Sequence, residues 1–311
     1  MSTGVGSPGV EISRGIPDLQ VSTVPRPVVF LTDFGYEDEF TGVCRVVIDR
    51  ISPGTRVIDL THGIAPGDVR RGALALAAAA DYAAPAVFLA VVDPGVGTAR
   101  RALVLGAGEH FFVGPDNGLL WLAAERAGGV TAAFEISNSP ARLEPVMRTF
   151  HGRDIFSPVA ARLAAGQSPA TLGEEVDPES VVRIELPVAE VTEDTAVVTV
   201  LAGDRYGNLT LNLGPEQIEG SFLAHGMSVS VEVDRDDERE VRESATKPAS
   251  KPPAVPAPRK VAFVSAFGEV EVGEALLYPD SSGTLTLAVN RGDASALFGL
   301  EPDDRIRLSP G

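Results

Sequence analysis

Val87-Phe88-Leu89-Ala90-Val91-Val92-Asp93-Pro94-Gly95 sets the fold reading: an unbroken apolar run that ends in a carboxylate and a sharp turn. A strand apolar on both faces is one that both faces of a sheet bury, as in parallel sheets covered by helices. Val28-Val29-Phe30-Leu31-Thr32-Asp33 repeats the pattern, and Arg56–Leu60, Ala102–Leu105 and Phe111–Gly114 read as further strands. Helical periodicity predicts helices over Glu39–Ile51, Gly67–Tyr82, Leu119–Arg126 and Ile155–Ala165. The expected N-terminal domain, residues 26–187, is therefore α/β, with a largely parallel sheet covered by helices. Such sheets place ligands at the carboxyl ends of their strands.

After Pro187 the helical pattern stops. Thr195–Leu201, Met227–Val233, Val261–Ser265 and Thr284–Val289 alternate apolar with small or polar residues, which predicts a smaller all-β, barrel-like C-terminal domain over 188–311. Two segments fall outside these domains. Residues 1–25 are a Ser, Gly and Pro-rich leader expected to be disordered, and 235–259 read as a disordered, charged, Pro-rich insertion.

The 311 residues are 44% apolar and carry 26 basic against 43 acidic side chains, a formal charge of −17. Residues 234–260 hold six acids (Asp234, Asp236, Asp237, Glu238, Glu240, Glu243) and seven bases (Arg235, Arg239, Arg242, Lys247, Lys251, Arg259, Lys260), so the negative charge resides in the folded parts. That balance argues against nucleic acid or an anionic membrane as partner. The single cysteine, Cys44, excludes an intramolecular disulfide and a thiolate-rich zinc site. Neither a signal peptide nor a membrane span is legible, so a cytoplasmic location is expected.

Four clusters set acids or a histidine beside glycine or proline at strand ends: Thr32-Asp33-Phe34-Gly35, Asp59-Leu60-Thr61-His62-Gly63, Asp93-Pro94-Gly95-Val96-Gly97 and His151-Gly152-Arg153-Asp154. Each alone reads equally as an Asx turn or a helix cap, but their repetition points to a site. Three readings stand at this level. Asp33, His62, Asp93, His151 and Asp154 are candidate ligands of a metal-dependent hydrolase, although no HxH, HExxH or DxH spacing supports it. A metal-free site would use Asp33 to hold a polyhydroxylated ligand and Asp93 or His151 to handle a proton. A non-catalytic small-molecule sensor is the third. No phosphate-binding glycine loop is present. Of the other histidines, His110 and His225 read as structural or solvated.

The motifs Leu31–Gly35, Val57–His62, Val92–Arg101, Pro115-Asp116-Asn117-Gly118-Leu119 and Phe150–Asp154 resemble those of the S-adenosylmethionine (SAM) hydroxide adenosyltransferases, the adenosine-forming SAM hydrolases related to fluorinase and chlorinase. Gly203-Asp204-Arg205-Tyr206-Gly207-Asn208 and Val289-Asn290 extend the likeness into the second domain. The resemblance implies a homotrimer with SAM held between the N-terminal domain of one subunit and the C-terminal domain of the next. SAM would be the substrate, hydrolysed to adenosine and L-methionine with no cofactor and no metal.

It also implies a catalytic set of Asp93, Arg100 and His151. Asp33 would accept from the ribose hydroxyls and Asn208 would read the adenine edge, helped by the backbone at Val289 and Asn290. Tyr206 would pack on the purine, Asp204 would pair with the methionine ammonium, and Ser281 would bond its carboxylate. Ser282 stands where the halogenases have an arginine, while Asp38 and Tyr278 occupy further binding positions. Against a SAM-dependent halogenase, Asp93 and Val96 replace the tyrosine and threonine of the halide pocket, and Gly152 replaces its serine. A carboxylate there repels halide and tolerates water. Trp121 and Cys44 read as packing residues.

Overall fold

The computed structural model describes residues 25–234 and 257–311; all but the last residue of the leader and all but the end of the Pro-rich insertion lie outside the described residues. Arg259, placed by the sequence reading in that insertion, already opens a strand and pairs with Val231.

The first unit is a seven-stranded sheet in the order β2-β1-β3-β5-β4-β6-β7. Its strands are β1 (Val28–Thr32), β2 (Val57–Thr61), β3 (Val87–Val91), β4 (Ala102–Ala107), β5 (His110–Pro115), β6 (Ala132–Glu135) and β7 (Glu174–Val176). Pairings β1–β2, β1–β3 and β3–β5 are parallel, whereas β4–β5, β4–β6 and β6–β7 are antiparallel. The sheet is thus mixed. The reason is local: Gly108 and Glu109 join β4 to β5 as a hairpin, leaving no crossover helix between them.

Helices α1 (Phe40–Ile51) and α4 (Ser157–Ala164) cover one face, where Cys44 and Ile48 pack with Phe30, Leu89 and Phe156. Helices α2 (Val69–Ala80) and α3 (Trp121–Arg126) cover the other, where Leu76 and Ala77 meet Phe88, Leu105 and Phe112. Strands β1 and β3 are buried at every position, in agreement with the continuous apolar runs. Their shared carboxyl edge lies where the chain turns from β2 on one side to β5 on the other, the crevice where open α/β sheets bind ligands.

The second unit closes on itself. Strands β9 (Ala196–Gly203), β10 (Leu209–Leu211), β11 (Ser228–Asp234), β12 (Arg259–Phe263), β13 (Ala275–Pro279), β14 (Leu285–Val289) and β15 (Arg305–Pro310) form a seven-strand barrel, sealed by β9–β10. The two-residue β8 (Glu190–Val191) extends β9, and short helices α5 (Pro215–Glu219) and α6 (Ala294–Phe298) lie on the rims. Inward residues such as Val198, Leu209, Val231, Leu277, Leu287 and Ile306 fill the interior. Arg70 of α2 pairs with Asp303 at 2.5 Å, linking the units.

Candidate active site

Asp93 follows β3 by two residues and heads a pair of tight turns. The Val96 N–H bonds the Asp93 carbonyl at 3.2 Å, and Thr98 closes on the Gly95 carbonyl through its N–H at 3.2 Å and its hydroxyl at 2.7 Å. Gly97 has φ +76°, and a Cβ there would stand 2.5 Å from the Arg148 carbonyl, so only glycine fits. The turns bring Arg100 back onto Asp93. Nε and Nη2 donate to the two carboxylate oxygens at 3.1 and 2.5 Å, and the same Nη2 lies 3.0 Å from His151 Nδ1. The Arg100 guanidinium also stacks on Phe156 at 5.4 Å.

The Asp93 and Arg100 side chains are 5% and 8% exposed. Burial raises the Asp93 carboxyl above the usual carboxylate range despite the opposing guanidinium. Burial, and then Arg100, lowers His151 below the ordinary histidine value. A guanidinium only donates, so His151 Nδ1 is an acceptor and the ring proton of the neutral imidazole sits on Nε2. His151 enters a π-helical turn, Gly152–Phe156, whose buried Asp154 holds Arg153 and the Met147 N–H. Asp154 is therefore committed to bracing this loop. A cavity of about 360 Å³ opens beside Arg100 and His151, lined by Thr98, Ser137, Arg142 and Glu144 among others.

Asp33, at the neighbouring end of β1, is half-buried and accepts the Gly67 N–H through Oδ2 at 2.8 Å. One oxygen is thereby fixed by the backbone. His62 is fully buried beneath this loop: Thr32 Oγ1 lies 2.7 Å from Nδ1, and Asp59 3.2 Å from Nε2. Burial drives its pKa to about 4.

On the barrel, five sequence-predicted residues, Asp204, Tyr206, Asn208, Val289 and Asn290, line one cavity of about 780 Å³. They meet because β10 pairs with β14, which places the turn before β10 beside the end of β14. Asp204 Oδ1 accepts the N–H groups of Tyr206 and Asn208 at 2.8 and 2.9 Å, and Oδ2 accepts Asn208 Nδ2 at 2.8 Å. Gly207, at φ +79°, abuts Asp293, the N-cap of α6. Phe267, Arg291 and Asp293 also line this cavity and escaped the sequence reading. Phe267 packs on Tyr278 at 5.0 Å between ring centres.

Ser281 lies elsewhere, exposed in the half-buried Asp280–Thr284 turn, whose N–H groups at Ser282 and Thr284 bond Asp280. The Tyr278 hydroxyl is pushed up by burial and then by Asp280 and Asp204. Asp38 is exposed on a loop, Trp121 lies under the Arg183 guanidinium at 4.5 Å, and Cys44 is buried with its thiol pushed up to about 11. His110 packs edge-on against Phe88, and His225 pairs with Glu269 at the surface. Among the described residues, no three His, Cys, Asp or Glu side chains form a group able to hold a metal ion, and no helix is long and apolar enough to cross a membrane.

Fold and site define a two-domain α/β and barrel protein with a carboxylate–guanidinium–imidazole cluster at a sheet edge and an aromatic-lined cavity on a barrel rim. The chain belongs to the SAM hydroxide adenosyltransferase family: residues 28–173 match the family's N-terminal domain and 198–307 its C-terminal domain. It is 45% identical to a protein of Salinispora tropica named (R)-S-adenosyl-L-methionine hydrolase, over 92% of this chain and 99% of that protein. A fluorinase of Actinopolyspora mzabensis is 25% identical over 91% of this chain and 97% of its own length. The crystal structure of an uncharacterized conserved protein from Thermotoga maritima superimposes with a TM-score of 0.78 at 34% identity, covering 91% of this chain and 99% of that one.

Proposed function

We propose that this protein hydrolyses S-adenosyl-L-methionine to adenosine and L-methionine. The observation that carries the reading is the buried Asp93–Arg100–His151 cluster, set beside Asp33 at the β1/β3 edge. The Salinispora relative's name specifies the (R) sulfonium epimer, and we extend that stereochemistry to this chain.

Water attacks ribose C5′ in line with sulfur. The new bond is O–C5′; the C5′–S pair leaves on sulfur, and methionine departs as a neutral thioether needing no general acid. The burden falls on the nucleophile. His151 presents Nε2–H and so orients the water oxygen as a donor. Asp93, raised by burial, takes the water proton, and Arg100 fixes both groups and offsets the developing charge. Asp33 receives the ribose diol through its unfixed oxygen, and the barrel cavity takes the adenine on Asn208, Val289 and Asn290 with Tyr206 against its face. Asp204 and Ser281 face the methionine end.

The reaction is metal-independent in this reading, since Asp93 and the Nδ1 of His151 already face a guanidinium, which would repel a cation. The cavity beside Arg100 and the barrel cavity share no lining residue. As the family resemblance implies, we propose a homotrimer in which SAM is held between the N-terminal domain of one subunit and the barrel of the next; we place it in the cytoplasm.

The test incubates the purified protein with each SAM epimer, with and without EDTA and chloride. Adenosine and methionine in every arm of the (R) epimer support the reading. A 5′-chloro product would make it a halogenase, loss with EDTA would restore the metallohydrolase, and binding without turnover would make it a sensor.

A further inference from the structure

The Pro115–Leu119 motif carries no role in the reaction as described, yet it bonds the backbone carbonyls next to both members of the Asp93–Arg100 pair, Val92 before Asp93 and Arg101 after Arg100. Strand β5 lies between β3 and β4, so its carboxyl end sits between Asp93 and the start of β4. Asn117 Nδ2 donates to the Val92 carbonyl at 2.9 Å, one peptide before Asp93, while Oδ1 accepts the Leu119 N–H at 3.2 Å. Next to it, the Asp116 N–H donates to the Arg101 carbonyl at 3.0 Å. That same carbonyl receives Arg100 Nη1 at 2.9 Å. The Asp116 carboxylate is spent on Arg101 Nε and the Val182 N–H, each at 2.8 Å, which locks the motif to the sheet.

We propose that Asn117 is a positioning residue: it sets the carboxylate of Asp93 against Arg100 by holding the Val92 carbonyl. The pair needs such a brace because Asp93 lies two residues past the end of β3, in a loop. A bidentate contact is sensitive to small displacements, and a misplacement of about 1 Å costs up to about a hundredfold in rate. The proposal rests on the hydrolase reading, but its structural arm does not.

The experiment compares Asn117→Ala, Asn117→Ser and Leu120→Ala in the full-length protein. Asn117→Ser is neutral, keeps an oxygen that can accept the Leu119 N–H and is too short to donate to Val92, so it stays informative if the alanine variant does not fold. Leu120, 3% exposed, controls for lost stability alone. Both Asn117 variants are expected to lose about tenfold in kcat with KM within about twofold, whereas Leu120→Ala lowers Tm and keeps kcat. The ¹³C-carboxyl titration of Asp93 moves in the Asn117 variants and not in the control. Wild-type kcat and an unmoved Asp93 titration in a folded Asn117 variant would overturn the proposal. A wild-type protein that does not turn over SAM sinks the hydrolase reading instead, and the titration still decides the positioning.

Discussion

Arg100 Nη2 lies 3.0 Å from His151 Nδ1 while also bonding Asp93, so one nitrogen fixes the imidazole tautomer and the carboxylate together. Protonating His151 would set an N–H against that guanidinium. The rate is expected to be level above pH about 6.5, the ordinary histidine value, and to fall on acidification as Asp93 and His151 take up protons. A pH profile of kcat/KM checks this, and a limb rising only above pH 8 would contradict it. Arg100→Ala should lower kcat by about 10²–10³. It should also cost about 3 kcal/mol of stability, because the buried Asp93 is left unpaired.

Asp33 has one oxygen committed to the Gly67 N–H. Asp33→Asn should raise KM about 10- to 100-fold, the worth of hydrogen bonds to a charged acceptor, with a smaller effect on kcat. Steady-state kinetics separate the two. Unchanged KM would remove Asp33 from the ribose contact.

A Cβ at Gly152, the position to which the family resemblance assigns the halogenases' serine, would lie 3.1 Å from the Phe34 ring. Gly152→Ser is expected to cost about 1–3 kcal/mol through overpacking and to yield no halogenated product. Thermal melts and product analysis in chloride test both halves.

His62 titrates near 4 in the folded chain against about 6.5 unfolded. Its contribution is full above pH 6.5 and is lost as pH falls toward 4, where the unfolded chain binds the proton first. Tm should decline across that window, and His62→Gln should flatten the decline. An identical pH dependence in the variant would assign the acid loss to other groups.

The double-faced apolar runs made β1 and β3 legible, and the acids that end them followed directly. The antiparallel half of the sheet was not legible, since β4 is as apolar as the parallel strands β1 and β3 and only the Gly108 turn marks its return into β5 as a hairpin. On the barrel, Asp204, Tyr206 and Asn208 stood out as a polar turn, whereas Phe267 and Arg291 reach the cavity only through barrel closure, which local pattern does not encode. The bracing bonds of Asp116 and Asn117 were equally hidden, because the Asp116 N–H and the Asn117 amide reach the Arg101 and Val92 backbone carbonyls, not side chains with a sequence signal.

In the proposed reaction water is the nucleophile and C5′ the carbon attacked. Turnover of SAM in ¹⁸O-water, read by mass spectrometry, should give adenosine carrying one ¹⁸O at its 5′-oxygen and unlabelled methionine; methylthioadenosine with labelled homoserine, or adenosine without label, would rule out water attack at C5′.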